Sequence, residues 1–240
     1  MTKQESFFEN VLKFNDDLTK VKFDLPKNYK IINPLKEENK EKVKEIMQLF
    51  YKKYYNDNKK RFLVLGSSPA RKGTAITGIP FEDAKHLYEI TGITIDDFYI
   101  NKSSSGFLYE VMEKYGGIDK FYKEFFLNFV CPLGITKINT NGKEINCNYY
   151  ENKEIESALY EFIVDSLRKL ISLGIDTSIC YCIGSGENFK FLTKINEKYN
   201  FFSKIIPLEH PRFIMQYHSK EKDKYLRKYV DALNIKKQKN

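Results

Sequence analysis

The chain has 240 residues and a formal charge of +8, a length that fits one domain, or one domain with a helical extension, around a sizeable core. No apolar run approaches the roughly 18–20 residues of a membrane span, and the opening MTKQESFFENVLKFNDD lacks the apolar core of a signal peptide. A cytoplasmic protein is expected. The positive excess suits a polyanionic partner, although solvated helix faces such as Lys36–Lys60 and the tail Lys236-Lys237-Gln238-Lys239 would look the same.

Helical periodicity covers residues 2–20 and 37–56. In the second segment Val43, Ile46, Met47, Phe50 and Tyr54 fall at i, i+3, i+4, i+7 and i+11. Between them, Leu25–Pro34 reads as a Pro- and Asn-punctuated connector. Together these residues, 1–58, form a helical N-terminal extension to a single 1–240 domain. Next comes Arg61–Phe81, RFLVLGSSPARKGTAITGIPF, which starts as the apolar strand Phe62-Leu63-Val64-Leu65. A small-residue turn follows, Gly66-Ser67-Ser68-Pro69-Ala70, then the basic pair Arg71-Lys72 and a second turn, Thr77-Gly78-Ile79-Pro80-Phe81. Small residues at a strand's carboxyl end let a backbone or ligand come close, and ligands collect at that edge of open α/β sheets. A purely structural strand-to-loop turn would read the same way.

Glu82–Gly92, Ser103–Tyr115 and Ile118–Glu124 follow as helices, leading into the strand Phe125–Val130, which stops at Cys131-Pro132-Leu133-Gly134. Asn141-Gly142 predicts a small hairpin within Asn139–Asn148. Glu151–Leu173 is a long amphipathic helix closed by Gly174, and Ser178–Ile183 is a strand. Cys180 and Cys182 alternate on that strand and share one face. Among Cys131, Cys147, Cys180 and Cys182, none has a His or acid at ligand spacing, so core thiols are expected and no metal. Helix Glu187–Tyr199, strand Lys204–Leu208 and helix Ser219–Leu233 complete the chain. Strands alternating with helices predict an α/β fold with a mainly parallel sheet.

Gly184-Ser185-Gly186-Glu187-Asn188-Phe189 lacks the third glycine of a dinucleotide fingerprint. A strand-to-helix turn whose amides, with Ser185, face a phosphate fits better, and no cofactor is expected. Of the three histidines, His86 and His218 fall in polar helical contexts. His210 closes the last strand, locked by Pro211, with Arg212 and the apolar Phe213-Ile214-Met215 after it. An apolar run in an exposed loop is out of place unless it enters something, such as a base stack.

Taken together these stretches resemble the uracil-DNA glycosylase superfamily, and within it the single-strand-selective monofunctional branch. That branch has a strand ending in G-x-N-P-G with T-G-x-P-F about ten residues on, which Gly66–Ala70 and Thr77–Phe81 match in spacing. It has an Asn on a strand before C-P-L, as in Asn128-Phe129-Val130-Cys131-Pro132-Leu133, and a third motif opening His-Pro, as His210-Pro211 does. The similarity runs from about Arg61 to Leu233 with the motifs in order. It implies a three-layer α/β/α sandwich around a four- to five-stranded sheet, and an enzyme acting on single- or double-stranded DNA; cutting an N-glycosidic bond needs no metal, and a monomer is the simplest arrangement for an enzyme that wraps a strand.

Carried over residue by residue, the resemblance has Phe81 stack on an extruded base, with Gly66 beside it. Asn128 would read the base edge, and His210 would stabilise charge on the departing base. Ser67, Ser68 and Pro69 would line the sugar and phosphate, Arg71 and Lys72 would contact phosphates, Pro211 would lie against the DNA, and Arg212 and Phe213 would start a wedge. Singly, Phe81 also reads as core, Asn128 as a strand-end turn residue and His210 as a satisfied strand-end residue. The branch carries Asn where this chain has Ser68, and Gly where it has Ala70. Other branches carry Asp or Ala at the Ser68 position, and a neutral serine is a poor base.

The expected function is therefore hydrolysis of the N-glycosidic bond of uracil or another deaminated base, with water as nucleophile. Two alternatives stay open. One is a glycosylase for a bulkier modified pyrimidine, as in phage DNA, with a role in antiviral defence. The other is an inactive DNA-binding module of the same fold.

Overall fold

The computed structural model describes residues 5–82, 84–94 and 102–234. The basic tail singled out above, and the first residues of the first predicted helix, lie outside them. Helix α1 (Phe7–Leu18) opens on a reciprocal cap, in which Ser6 Oγ accepts from the Glu9 amide and the Glu9 carboxylate accepts from the Ser6 amide at 2.7 Å. It buries Phe7, Val11, Phe14 and Leu18 along one stripe. The segment read as a connector contains a short strand, β1 (Tyr29–Ile32). Helix α2 (Lys40–Tyr55) buries the predicted Val43, Ile46, Met47 and Phe50, with Tyr51 and Tyr55 beside them.

Strand β2 (Arg61–Gly66) is buried at every residue. After it come α3 (Thr74–Thr77), α4 (Ala84–Thr91), α5 (Lys102–Tyr115) and α6 (Ile118–Glu124), then β3 (Phe125–Phe129). The predicted hairpin is present as β4 (Gly134–Ile138) and β5 (Glu144–Cys147), turning at Gly142 with φ +71°. Helix α7 (Lys153–Ser172) is capped by Asn152, whose Oδ1 accepts from two backbone amides. The chain then runs through β6 (Ile175–Ile183), α8 (Glu187–Tyr199), β7 (Ile205–Leu208), α9 (Pro211–Tyr217) and α10 (Lys222–Leu233). Among the described residues no helix is long and apolar enough to cross a membrane.

The four predicted core strands form one wholly parallel sheet in the order β3-β2-β6-β7. Strand pleating divides its residues between two faces. Phe62, Val64, Phe125, Leu127 and Tyr181 share one face, while Leu63, Leu65, Phe126, Asn128, Cys180 and Cys182 share the other. On the first face the rings of Tyr115 and Phe121 reach Phe125 at 5.4 and 4.9 Å, which places α5 and α6 there. On the second, Phe7 and Tyr55 reach Phe126 at 5.1 and 5.4 Å, and Asn188 of α8 donates to Cys182 Sγ at 3.3 Å. Helices on both faces make the α/β/α layering. Cys180 and Cys182 share a face as their alternation requires, and burial pushes the Cys182 thiol up to about 12. A separate antiparallel sheet, β1-β4-β5, stands beside this sandwich and belongs to no layer of the sequence-based expectation.

Arg61 opens the central strand and is wholly buried. Its guanidinium donates to both carboxylate oxygens of Asp57, at 2.9 and 3.1 Å, and to the carbonyls of Tyr122, Lys59 and Tyr54 at 2.8, 3.0 and 3.3 Å. It also lies over the rings of Phe7 and Tyr55, at 4.9 and 4.8 Å. Removing it strands Asp57 and several carbonyls beside a cavity. Arg61→Ala is expected to cost roughly 3–5 kcal/mol by urea unfolding. A loss below about 1 kcal/mol would mean that this cation behaves as a surface charge.

Candidate active site at the carboxyl edge of the parallel sheet

Beyond the last ladder pair, β2 and β3 stay joined. The Val130 amide donates to the Gly66 carbonyl at 2.8 Å and the Cys131 amide to the Ser67 carbonyl at 3.0 Å. This fixes the turn Ser67-Ser68-Pro69 directly above the central strand. The chain then returns through α3 to Phe81, which holds a left-handed backbone, φ +62°. That conformation is unfavourable for a bulky residue and clusters at functional sites. Here the Phe81 amide is tied to Thr74 Oγ1 at 3.3 Å, and its ring stacks on Phe129 at 5.1 Å with planes 24° apart. Gly66 makes room for the pair: a Cβ there would sit 2.6 Å from Phe81 Cζ and 2.8 Å from Phe129 Cδ1.

The extra antiparallel sheet supplies a second wall. Gly134, at the start of β4, lets it come close, since a Cβ would lie 3.0 Å from Ala75 Cβ and 3.3 Å from the Pro69 carbonyl oxygen. From the end of β5, Asn146 Oδ1 accepts from the Arg71 amide at 2.8 Å. Asn148 Oδ1 accepts from both serine hydroxyls, at 3.1 Å from Ser67 and 3.3 Å from Ser68. A third wall includes Glu82, a buried carboxylate accepting from the hydroxyls of Tyr109 and Tyr122.

The fourth wall is α9. His210 caps it, with Nδ1 accepting from the Arg212 amide at 3.1 Å and Pro211 at the first helical position. An acceptor Nδ1 fixes the tautomer: the proton sits on Nε2. Burial, helped by the nearby Arg212 cation, pulls the imidazole down to about 4. The ring is therefore neutral near pH 7 and offers one N–H. Behind it, the Glu209 carbonyl accepts from the Tyr229 hydroxyl and the Glu209 carboxylate pairs with Lys228.

These walls enclose an open cavity of about 420 Å³. Of the residues singled out from the sequence, Ser67, Ser68, Pro69, Phe81, His210, Arg212 and Phe213 line it, and Gly66 lies directly behind Phe81. Three placements differ from expectation. Asn128 is on the opposite face of β3, buried, with Oδ1 accepting from the Phe129 amide at 2.8 Å; Phe129 takes the cavity side. Pro211 is buried beneath α9 rather than presented to a ligand. The segment after it is a helix, not an exposed loop: Ile214 turns into the core while Phe213 and Tyr217 stay 45% and 66% exposed. Arg71 and Lys72 do not line the cavity; they lie in the chain between the lining residues Ala70 and Gly73, Arg71 half-buried and Lys72 exposed. Ser185 is exposed in the β6–α8 turn, outside the lining. Asn146, Asn148 and Tyr150 line the cavity without having been foreseen. The Asn141-Gly142 signal located their hairpin but not its destination.

At one strand edge a parallel α/β/α sandwich thus gathers a stacked aromatic pair, a neutral histidine and a serine pair around one cavity. The family model described as the uracil DNA glycosylase superfamily matches residues 52–234, and the chain belongs to that superfamily. It is similar to the crystal structure of wild-type Pedobacter heparinus SMUG2, with 46% identity over 97% of this chain and 98% of that one, at a TM-score of 0.90. No curated protein matches.

The fit at Gly66 is testable. Gly66→Ala should force the Phe81–Phe129 stack off the strand end and cost about 1–3 kcal/mol of stability by overpacking. Unchanged urea unfolding together with unchanged near-ultraviolet circular dichroism would show that the stack does not depend on this glycine.

Proposed function

We propose that the protein is a monofunctional DNA glycosylase that hydrolyses the N-glycosidic bond of an extruded uracil or other deaminated base, with water as nucleophile. The single observation that carries this reading is His210, a neutral imidazole whose one N–H is left for a partner in a cavity that also holds an aromatic platform. In the reaction the C1′–N bond breaks with its electron pair passing to the base. Water oxygen then bonds to C1′, and its surplus proton leaves to the solvent or the departing base.

Each wall has a task. The exposed face of Phe81 receives the flipped base, whose extraction costs a few kcal/mol. His210 Nε2–H donates to the base oxygen that gathers negative charge, and a preorganised donor in a site shielded from water is the largest usual contribution to such catalysis. Ser67 and Ser68 face the sugar. Arg71, Lys72 and Arg212 meet phosphates, with Ser185 further along the edge, and binding should weaken steeply with salt. Phe213 and Tyr217 fill the space that the base leaves in the stack. Lys72, exposed beside Arg71, lacks the desolvated pocket of a Schiff-base lysine.

Base release should be measured on labelled oligonucleotides carrying uracil, hypoxanthine, xanthine, hydroxymethylcytosine or glucosylated cytosine, as single and double strands. Release of a deaminated base that falls at least about a hundredfold in His210→Ala is expected. Release confined to the modified cytosines would move the substrate to phage-type DNA, and tight binding of an abasic strand without any release would make the protein a binding module.

The pH dependence provides a separate check. Protonating Nδ1 removes the acceptor by which the Arg212 amide holds the ring; with the imidazole at about 4, the single-turnover rate is expected to stay flat from neutrality to about pH 5 and to fall tenfold per unit below that value. A decline beginning near pH 6.5 would mean that the imidazole titrates as if in water, and would remove the buried neutral ring from the mechanism.

A further inference from the structure

The serine pair does not stand alone. Ser67 and Ser68 each have one hydroxyl proton, and one acceptor, Asn148 Oδ1, lies within reach of both, at 3.1 and 3.3 Å, with the Tyr150 hydroxyl also hydrogen-bonded to Ser67. Asn148 comes from the far end of the hairpin, some eighty residues away, and lines the same cavity. We propose that Asn148 is a positioning residue for the attacking water, acting through the two serines; the proposal rests on the glycosylase reading above.

A hydroxyl has one proton and two lone pairs. Once its proton is committed to Asn148, each serine oxygen offers only lone pairs to anything else in the cavity. A water meeting two acceptors must donate its hydrogens to them, which turns its own lone pair outward, toward the electron-poor C1′. Without Asn148, either hydroxyl can rotate and donate to that water, occupying the lone pair needed for attack. The residue supplies orientation, not proton abstraction, and orientation is worth large factors when the reacting atoms are otherwise in place. An amide oxygen with two lone pairs matches two hydroxyl donors, and β5 places it between them.

The test uses the full chain and single-turnover base release at saturating oligonucleotide, alongside abasic-strand binding and thermal melting. Asn148→Ala is expected to slow the chemical step by about a hundredfold, with abasic-strand affinity and melting temperature unchanged. Asn148→Asp keeps an acceptor for both hydroxyls, in charge-assisted form, and should hold the rate within about tenfold of wild type. The triple variant Ser67→Ala/Ser68→Ala/Asn148→Ala should be no slower than Ser67→Ala/Ser68→Ala, because residues acting as a unit do not add. Losses that multiply, an Asp variant as slow as the Ala variant, or an Ala variant at the wild-type rate would each overturn the positioning role while leaving the glycosylase reading intact. If wild type itself releases no base from any oligonucleotide, the glycosylase reading fails and this proposal with it. That failure is distinguishable because it appears before any variant is made.

Discussion

The structure depends on one buried cation. Arg61 occupies the first position of the central strand, where a charge would ordinarily be too costly to bury. It is accommodated because every arm of the guanidinium is engaged. Asp57 takes two arms, three backbone carbonyls share the remaining capacity, and two aromatic rings cover the faces. Those partners come from α1, the end of α2, the turn before β2 and the end of α6. A single side chain therefore ties both helical layers to the start of β2. Such a cluster is weak evidence of net stabilisation, since an apolar replacement of matched shape can do as well. Its effect is geometric. With the start of a six-residue buried strand fixed, the end is fixed too, and that end carries Gly66, Ser67 and Ser68.

From that fixed edge the cavity is assembled out of pieces that differ in rigidity and in distance along the chain. Phe81 is held in a left-handed backbone and pressed against Phe129, so its exposed face has one orientation. His210 is set by Pro211 on one side and by the Arg212 amide on its Nδ1, so neither its tautomer nor its direction is free. The hairpin sheet is attached through Gly134 and through the contacts of Asn146 and Asn148 with the β2 turn. All of these side chains reach the cavity from the sheet's carboxyl edge, the usual place for a ligand in an open parallel sheet.

Much of this was legible in the sequence. The buried strands declared themselves as short apolar runs between turn residues, and their alternation with amphipathic helices gave the parallel sheet. Serines, platform and histidine were located by motif order. What stayed hidden was governed by other physics. Asn128 and Phe129 are neighbours, and on a strand neighbours face opposite ways. Spacing to Cys131-Pro132-Leu133 could not say which of the two looked into the cavity. Tyr29–Ile32 is too short for periodicity, and it becomes a strand only because Gly134–Ile138 pairs with it. Helix α9 is seven residues long and begins at a proline, so it read as loop. Asn148 is invisible to any local rule, since its role comes from contacts across eighty residues.

The departure at Ser68 is the one most open to misreading. A serine in place of an amide or carboxylate looks like a lost catalyst if the water must be deprotonated before it attacks. On the glycosylase reading, the sugar is already electron-poor when the water reaches it, because the base has begun to leave with the bonding pair. The departing base is the group that accumulates charge, and His210 sits where a neutral donor meets it. The nucleophile then needs direction more than basicity. Two hydroxyls held as acceptors supply direction, and they do so without placing a second ionisable group beside an imidazole whose burial keeps it neutral. Nor does Phe129, on the side where an amide was expected, leave the base unheld. On that reading it widens the aromatic platform, and polar contacts with the base fall to the opposite wall, where Asn146 and Tyr150 line the same cavity.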